Sequence, residues 1–374
     1  MTDLLNSQHS ARSTRLSTRW LRAGGQQVPL LAGPGSLACL PDALAEVGFA
    51  GQLWIVADQY ALDLHGDWLR AVLPDVPTLG IPGDEPSKTL DQVAAVWDWL
   101  VEQGAQRRDA LVAFGGGVVC DLVGFAAACY LRGIGLVNAP TTLLAQVDAS
   151  VGGKTGVNHP RGKNLIGAFY QPLAVVADTR LLGTLSPRAF AAGLAEVVKM
   201  AMILDADLFA QLEALAPGLT PASAAETLTP IVARSIELKA EVVERDEREA
   251  NERMLLNYGH TVGHALEAAA GYGSVLHGEA VAVGMHAAAG IAQAVGLLDA
   301  RAAERQRALL EALHLPLRWP HVAVEDVLAR LSLDKKRAGS RQRWVLPERV
   351  GAAQVRDDVP LEVVRRAVTS VTHD

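Results

Sequence analysis

The sequence predicts an α/β half followed by a mostly helical half, and three observations support this division. Between residues 20 and 178, short apolar runs alternate with amphipathic segments, which is typical of a parallel sheet covered by helices. After residue 186, nearly every segment has helical periodicity. Polar or glycine-rich turns follow several apolar runs, and open α/β sheets bind ligands at such turns. We therefore predict a disordered segment over 1–19, an α/β domain over 20–186 and a helical domain over 187–374.

The composition is that of a soluble globular chain. Its 374 residues are 50% hydrophobic and carry a formal net charge of −7. No basic run stands apart from acidic neighbours, so we expect no nucleic-acid partner. No apolar stretch has the length of a signal-peptide core or a membrane span, so we expect no membrane partner. An anionic ligand would need locally clustered cations.

The three cysteines, Cys39, Cys120 and Cys129, have neither disulfide nor metal-ligand spacing. Cys120 and Cys129 lie in apolar sequence, where small buried thiols are common. We therefore expect a reduced chain in the cytoplasm.

Four apolar runs in the first half predict buried strands, at 52–58, 109–117, 134–142 and 173–179. Between the first two, residues 89–105 carry apolar side chains at helical spacing and predict an amphipathic helix. This alternation is the evidence for a parallel sheet.

The second half begins with a clear helix start, because Ser186 is a good N-cap and Pro187 is tolerated in a first turn. A connection is expected at 215–222 and a short hairpin at 342–359. The remaining segments predict helices, at 187–203, 206–214, 223–247, 253–270, 276–296, 299–313, 324–331 and 360–370.

Several turns of the first half suit a dinucleotide. The run AFGGGVVCD places Gly115, Gly116 and Gly117 between a strand and a helix, where backbone N–H groups could approach a pyrophosphate. Asp58 ends another strand and could accept a hydrogen bond from a ribose hydroxyl. A tight turn without a ligand and a simple helix cap are the alternatives. The polar turns PGDEPSK (82–88) and PTT (140–142) favour the dinucleotide.

The second half carries residues that suit a divalent metal. His260 and His264 are four residues apart on one predicted helix face, and His277 begins the next helix. Glu196 lies on an apolar helix face, where a carboxylate is costly unless it is paired or binds metal. The alternatives are an ion pair between Glu196 and Lys199 and ordinary polar roles for the histidines. Spacing alone favours His260 and His264 as ligands.

The stretch from Gln146 to Gly167, QVDASVGGKTGVNHPRGKNLIG, is too polar for a core, and it belongs to a longer resemblance. The chain is similar, in order, to the 3-dehydroquinate synthases through PGDEPSK, GGGVVCDLVGFAAACYLRG, PTTLLAQVDASVGGKTGVNHPRGKNLIGAFYQP, LAEVVK, NYGHTVGHALE and HGEAVAVGM. The resemblance as a whole covers about Trp54 to Gly351, which is most of the chain. Two positions depart from the family: Cys120 replaces the usual glycine, and Met200 stands where an aromatic is common.

The resemblance implies a dehydroquinate synthase-like fold, related to the glycerol-dehydrogenase-like enzymes, with an N-terminal NAD⁺-binding domain and a C-terminal metal-binding domain. The active site would lie in the cleft between them. The metal, usually Zn²⁺ and otherwise Co²⁺, would be held by Glu196, His260 and His277, and His264 would face the substrate instead. Arg132 would reach the site of a neighbouring subunit in a homodimer.

The remaining residue roles implied by the resemblance fall into two sets. The NAD⁺ contacts would be Asp58, Glu85, Lys88, Gly116, Gly117, Asp121, Thr141, Thr142, Lys154, Lys163 and Thr184. The substrate contacts would be Asp148, Lys154, Lys163, Asn164, Lys199, Lys239, Arg253, Asn257, His264 and either Lys335 or Lys336.

The activity implied is the conversion of 3-deoxy-D-arabino-heptulosonate 7-phosphate to 3-dehydroquinate and phosphate, in aromatic amino acid biosynthesis. It proceeds by transient oxidation with NAD⁺, phosphate elimination, re-reduction and intramolecular aldol closure. The alternatives are a cyclase acting on sedoheptulose 7-phosphate, a metal-dependent NAD alcohol dehydrogenase and a non-catalytic binding protein. Arg253, Asn257 and His264 favour a substrate with a carboxylate.

Overall fold

A computed structural model of the chain describes residues 16–271, 273–338 and 342–373, without the side chains of residue 224 and of residues 333–338. The chain divides into two compact units. The first consists of Met1–Leu185 and Pro221–Glu244, and the second of Ser186–Thr220 and Arg245–Asp374.

The strands and helices alternate in the first half, and helices dominate the second. The strands are β1 (Ser17–Ala23), β2 (Gln26–Ala32), β3 (Leu53–Asp58), β4 (Thr78–Ile81), β5 (Ala110–Gly115), β6 (Gly135–Pro140), β7 (Lys154–His159), β8 (Gly162–Phe169), β9 (Ala174–Ala177), β10 (Trp344–Arg349) and β11 (Ala352–Arg356). The helices are α1 (Leu40–Glu46), α2 (Gln59–Val72), α3 (Leu90–Glu102), α4 (Gly117–Cys129), α5 (Pro187–Leu204), α6 (Ala206–Leu215), α7 (Ala224–Thr227), α8 (Thr229–Arg245), α9 (His260–Ala270), α10 (His277–Ala294), α11 (Ala300–Ala312), α12 (Val324–Ala338) and α13 (Leu361–Thr372).

The first unit is built on a seven-stranded sheet in the order β1-β2-β9-β6-β5-β3-β4. Its strands pair in parallel except for the antiparallel pair β1–β2. Successive residues of β5 alternate between two buried clusters, with Leu111 and Ala113 in one and Val112 and Phe114 in the other. The sheet is therefore covered on both faces, which explains why its strands are continuous apolar runs. The four predicted strands and the predicted α/β architecture are confirmed.

Sequence patterns did not predict the β-hairpin of β7 and β8, which covers much of the polar stretch 146–167. The two strands pair in antiparallel register from Lys154 opposite Phe169 to His159 opposite Gly162. Ahead of the hairpin, Ala145–Ala149 forms a π-helical turn. The polar side chains of the stretch are thus held on regular structure.

The helix predicted over 223–247 is broken into α7 and α8, and it groups with the first unit instead of the second. Hydrogen bonds of the first unit explain this grouping. Thr179 Oγ1 lies 3.0 Å from Thr229 Oγ1, and Lys239 Nζ donates to the carbonyl of Asp148 at 2.6 Å. The prediction of one continuous second domain from residue 187 is therefore wrong for residues 221–244.

The second unit is organised around α10, which is buried along most of its length and packs against α5, α9, α11 and α13. Its first helix begins as predicted, with Ser186 Oγ accepting the N–H of Ala189 at 3.2 Å and Pro187 in the first turn. The predicted helix over 253–270 is interrupted, because residues 252–257 form a 3₁₀ turn and Gly259 has a φ of +78°. The hairpin β10–β11 confirms the one predicted over 342–359.

Three further expectations can be compared with the structure. The disorder predicted over 1–19 is wrong for residues 17–19, which pair within β1, and residues 1–15 lie outside the described chain. Among the described residues no disulfide is formed; Cys120 is buried as expected, whereas Cys129, at the end of α4, is exposed. Within the same ranges, no helix has the length and apolarity needed to cross a membrane.

Candidate active site

Three adjacent strands of the first unit end in residues that the sequence singled out for a dinucleotide. Asp58 ends β3, Gly115 ends β5, and Thr141 follows β6. Gly115 and Thr141 are joined by a backbone hydrogen bond of 2.9 Å. A side chain built on Gly116 would place its Cβ 3.3 Å from the methyl group of Thr142. Glycine therefore keeps the start of α4 open, next to the carboxyl ends of the strands.

Asp58 is both a helix cap and a candidate ligand residue. Its Oδ1 accepts the N–H of Tyr60 at 3.0 Å, so the helix-cap alternative is present in the structure. Burial raises the pKa of Asp58 above 3.8, and the hydrogen bond from Tyr60 partly offsets this rise. A Cβ at Gly83 would overlap the carboxylate of Asp58, and a Cβ at Gly115 would lie 3.1 Å from Asp58 Cβ, so both glycines leave room for this side chain. A cap leaves further lone pairs of that carboxylate for another donor.

A partly buried polar network surrounds Lys88, which is itself only 3% exposed. Its Nζ donates to Asp121 Oδ2 and to Asn164 Oδ1, each at 2.5 Å. Burial raises the pKa of Asp121, and the positive charge of Lys88 opposes that shift. This network brings together three residues that lie in three separate sequence motifs.

Asn158 extends the network, and the sequence analysis missed it. Its Nδ2 donates to Glu85 Oε1 at 2.7 Å, and its Oδ1 accepts the N–H of Asn164 at 2.9 Å. Lys163 Nζ lies 3.8 Å from Glu85 Oε1. Asn164 has a φ of +53°, a conformation that asparagine tolerates better than most residues. Asn158 sits within the quoted polar stretch, which is the signal that could have identified it.

Asp148 and Lys239 form a partly buried ion pair within the first unit. Asp148 lies in the π-helical turn, and Lys239 Nζ donates to its Oδ1 at 2.5 Å. Lys239 is 6% exposed, so this ammonium is largely removed from water. Two residues that the resemblance assigns to the substrate are thus adjacent.

Three other predicted residues occupy different places in the first unit. Lys154 begins β7 and is exposed, and Arg132 is exposed at the end of a turn in which Leu131 and Arg132 have φ values of +49° and +66°. Thr184 Oγ1 lies 2.8 Å from Nε2 of His65, which was not predicted as a site residue. These two residues are 119 positions apart in sequence, so no local pattern predicts this last contact.

The second unit brings the predicted metal ligands together. Glu196 on α5 is fully buried, and its Oε1 lies 3.9 Å from Nε2 of His260 and 3.5 Å from Nε2 of His277. No described residue donates a hydrogen bond to that Oε1. Lys199 forms an ion pair with Oε2, so the alternative considered for Glu196 also exists. One carboxylate oxygen and two imidazole nitrogens therefore face one another.

The other nitrogen of each of these imidazoles has an acceptor. His260 Nδ1 lies 3.0 Å from the carbonyl oxygen of Tyr258, and His277 Nδ1 lies 3.3 Å from Glu267 Oε2. This pattern is typical of metal-binding histidines, whose outer nitrogen is held by an oxygen acceptor. Glu267 was not singled out from the sequence, although it is seven residues after His260 and shares its helix face.

His264 belongs to the same cluster. One ligand atom from each of His260, His264 and His277 lies within 4.8 Å of the others. The ring centroids of His264 and His277 are 5.8 Å apart, and those of His264 and His260 are 5.2 Å apart. The position of His264 therefore suits either a further ligand or a group beside the metal.

Two glycines allow this cluster to form. Gly259 precedes His260 with a φ of +78°, which strongly favours glycine. Gly278 follows His277, and a Cβ there would lie 2.8 Å from Cα of Ala192 on α5. Because Ala192 is one helical turn before Glu196, the close approach of α10 to α5 brings His277 to that carboxylate.

The protonation of the cluster suits a metal. Burial, together with Lys199, His264 and His277, lowers the pKa of His260 well below 6.5. His260 is therefore a neutral imidazole at neutral pH, which is the form that binds metal. The donor set of one carboxylate and two imidazoles is suited to zinc with an open coordination position.

Arg253 and Asn257 lie in the 3₁₀ turn before α9. Arg253 is 1% exposed, its backbone N–H donates to Asp246 Oδ2 at 3.0 Å, and its guanidinium donates to the carbonyl of Glu247. Asn257 Nδ2 donates to Glu249 Oε1 at 2.8 Å. Glu249 has a φ of +59°, and the sequence did not single it out. The side chains of Lys335 and Lys336 lie outside the described residues.

The comparisons with known proteins agree with this description. The profile of the 3-dehydroquinate synthase N-terminal domain matches residues 78–192, and that of the C-terminal domain matches residues 193–337. The 3-dehydroquinate synthase of Gloeobacter violaceus is 46% identical over 342 residues, which are 90% of this chain and 94% of that protein.

Two solved structures are similar throughout. ValA, a 2-epi-5-epi-valiolone synthase from Streptomyces hygroscopicus with NAD⁺ and Zn²⁺ bound, has a TM-score of 0.84 and 31% identity, covering 92% of this chain and 96% of its own. A 2-deoxy-scyllo-inosose synthase complexed with carbaglucose-6-phosphate, NAD⁺ and Co²⁺ has a TM-score of 0.84 and 27% identity, covering 95% and 100%.

These likenesses define the class of the protein as that of the sugar phosphate cyclases, with an α/β unit and a helical unit. Within that class, the chain belongs to the 3-dehydroquinate synthase family. The resemblance drawn from the sequence motifs is thereby confirmed.

Proposed function

We propose that the protein converts 3-deoxy-D-arabino-heptulosonate 7-phosphate to 3-dehydroquinate and phosphate, as a phosphate-eliminating carbon–oxygen lyase. The observation that carries the proposal is the cluster of Glu196, His260 and His277 in a chain of this family. The cluster combines a buried carboxylate with two imidazole nitrogens that face it. A structural role alone would leave Glu196 Oε1 without a compensating donor.

The proposed cofactors are NAD⁺ on the first unit and Zn²⁺ or Co²⁺ on the second. When bound, NAD⁺ supplies transient hydride acceptance and the metal supplies Lewis-acid polarisation of the substrate hydroxyls. Glu196, His260 and His277 would hold the metal. Two observations support this assignment. The Nδ1 atoms of His260 and His277 already have acceptors, and their Nε2 atoms face Glu196 Oε1. His264 would remain beside the metal and face the substrate.

The proposed NAD⁺ contacts lie on one edge of the sheet and in the adjoining hairpin. Asp58 would accept hydrogen bonds from a ribose, and Gly116 and Gly117 would admit the pyrophosphate to the start of α4. The supporting observations are the open glycine turn and the hydrogen-bond network around the buried Lys88. The remaining contacts would come from Glu85, Lys88, Asp121, Thr141, Thr142, Lys154, Lys163 and Thr184.

The substrate groups are proposed from charge complementarity. On the second unit, Arg253 would bind the carboxylate through its planar guanidinium, and Asn257 would add an amide. On the first unit, Lys239, which lies beside Asp148, would also bind the carboxylate of the substrate. Lys154 and Asn164 would bind its phosphate. In a chain with a net charge of −7, such buried or clustered cations are the feature expected for a doubly anionic substrate.

Further residues are proposed to contact the hydroxyl groups and the phosphate of the substrate. Lys199, whose ammonium pairs with Glu196, is 1% exposed and would be held next to the hydroxyl groups of the substrate. His264 would donate a hydrogen bond to the phosphate as it leaves. Lys335 or Lys336 would add a further cation to that phosphate.

We also propose a cytoplasmic homodimer. Leu131 and Arg132 are exposed in consecutive left-handed conformations, which are costly for residues other than glycine. Such a turn is a feature of functional segments, and Arg132 would use it to reach the phosphate of a second copy. Sedimentation or light scattering of the purified chain would test the dimer.

The test of the activity compares two sugar phosphates. The zinc-loaded protein with NAD⁺ is incubated with 3-deoxy-D-arabino-heptulosonate 7-phosphate, or with sedoheptulose 7-phosphate, which lacks the carboxylate. We expect phosphate and 3-dehydroquinate from the first substrate only, because the guanidinium of Arg253 is proposed to bind its carboxylate. Turnover of sedoheptulose 7-phosphate alone would instead identify a cyclase of the kind that includes ValA.

A further inference from the structure

Glu267 is a buried carboxylate that the proposed chemistry does not use. It is 2% exposed and lies on α9, seven residues after His260 and three after His264. A carboxylate is seldom buried to this degree unless it is paired or bound to a metal. Its Oε2 lies 3.3 Å from Nδ1 of His277, the first residue of α10.

This contact determines which nitrogen of His277 carries a proton. An ionised carboxylate only accepts hydrogen bonds, so with Glu267 ionised the contact assigns the proton of a neutral His277 to Nδ1. The lone pair then resides on Nε2, which lies 3.5 Å from Glu196 Oε1. Without the acceptor, the ring could adopt the other tautomer or turn about its χ2 angle.

The two histidines differ in how they are held. The acceptor for His260 Nδ1 is the backbone carbonyl of Tyr258, which no substitution removes. The acceptor for His277 is a side chain from a different helix. The orientation of His277 is therefore the one that a single substitution can disturb.

We propose that Glu267 is a positioning residue that fixes the tautomer and orientation of His277 and so raises the affinity of the second unit for Zn²⁺. The proposal rests on the metal site of the proposed function. The negative charge of Glu267 also compensates the positive charge that a bound metal places on the imidazole of His277. Glu267 touches neither metal nor substrate in this account and acts only through His277.

The test compares three variants of the full chain. E267A removes both the acceptor and the charge, and E267Q keeps an amide oxygen that accepts the same Nδ1–H. L266A is the control, because Leu266 is a fully buried neighbour on the same helix, and its truncation weakens packing without removing the carboxylate. Zinc affinity is measured by competition with a chromophoric chelator, and coordination is followed by the visible absorption of the Co²⁺-loaded proteins. Unfolding of the metal-free variants by urea reports stability separately.

Loss of the acceptor should weaken zinc binding by about 10–100-fold in E267A, as is common for such outer partners, with a smaller loss in E267Q. The Co²⁺ spectrum should change in E267A and remain like that of the wild type in L266A. The proposal is overturned if E267A binds zinc within about threefold of the wild type, or if L266A loses as much affinity as E267A. A wild-type protein that binds no zinc would overturn the metal site as well. A wild-type protein that binds zinc but lacks turnover would refute the proposed activity alone, while the comparison of zinc affinities still decides the role of Glu267.

Discussion

Exchanging Gly278 for alanine tests the helix packing that positions the metal ligands. A Cβ at this position would lie 2.8 Å from Cα of Ala192, and the carbonyl carbon and oxygen of Ala192 are closer still. Carbon atoms in van der Waals contact are about 3.5–4.0 Å apart, and the carbonyl oxygen is the nearest obstacle, so α10 would have to move from α5 by more than about 1 Å. The obstacle is backbone, which cannot rotate away as a side chain can.

Gly290 provides a matched control on the same helix. A Cβ at Gly290 meets no atom within 4 Å, and the residue is exposed. G290A should therefore stabilise the chain by about 0.5–1 kcal/mol through helix propensity. G278A should lose about 1–3 kcal/mol through overpacking, because the gain in propensity is smaller than the steric cost.

The assay is urea unfolding of both variants together with zinc affinity. In G278A, His277 moves with the start of α10, so its Nε2 no longer faces Glu196 and zinc binding should fall by at least tenfold. Zinc binding by G290A should equal that of the wild type. If G278A is as stable as G290A and binds zinc equally well, the close approach of α5 and α10 does not position the site.

Three further predictions concern single side chains. K88M should lose about 1–3 kcal/mol of stability, because it leaves the largely buried carboxylate of Asp121 without its cation, and K88M with D121N should recover part of that loss; urea unfolding measures both. H264A should keep one zinc per chain by elemental analysis while phosphate release falls at least a hundredfold, whereas zinc lost to the same extent as in H277A would make His264 a ligand. Because burial raises the pKa of Asp58 above 3.8, the affinity for NAD⁺ should weaken as the pH falls toward that raised pKa, and D58N should remove this pH dependence in fluorescence titrations.

The sequence predicted the central strands because their residues are apolar on both faces. In β5, Leu111 and Val112 point to opposite sides of the sheet, and both sides are covered by helices. Such a run has no polar alternation and is recognisable without any tertiary information. The start of α5 was equally clear, since Ser186 and Pro187 are local signals.

The unit to which α8 belongs could not be predicted from the hydrophobic pattern of this helix alone. Its helical periodicity is satisfied in either unit, and only contacts distant in sequence decide between them. Thr229 meets Thr179, and Lys239 meets Asp148, across separations of 50 and 91 residues. Periodicity identifies a helix and its buried face but not the surface against which that face packs.

The candidate site shows the same division between local and distant information. The spacing of His260 and His264 placed both on one helix face, and the structure has them adjacent. The approach of His277 to Glu196 depends on Gly278, whose role is visible only once α10 lies against α5. Cys120, which departs from the family pattern, lies inside α4 and is buried, so the turn at Gly116 accommodates it.

The most direct test of the account is to count phosphate released per NAD⁺ supplied. The zinc-loaded protein is given 3-deoxy-D-arabino-heptulosonate 7-phosphate in large excess over a limiting amount of NAD⁺, and phosphate and absorbance of NADH are followed together. We expect phosphate far in excess of the NAD⁺ present and no lasting NADH, because the hydride returns to the substrate in each turnover. Accumulation of NADH that stops when the NAD⁺ is consumed would contradict it and indicate a simple dehydrogenase.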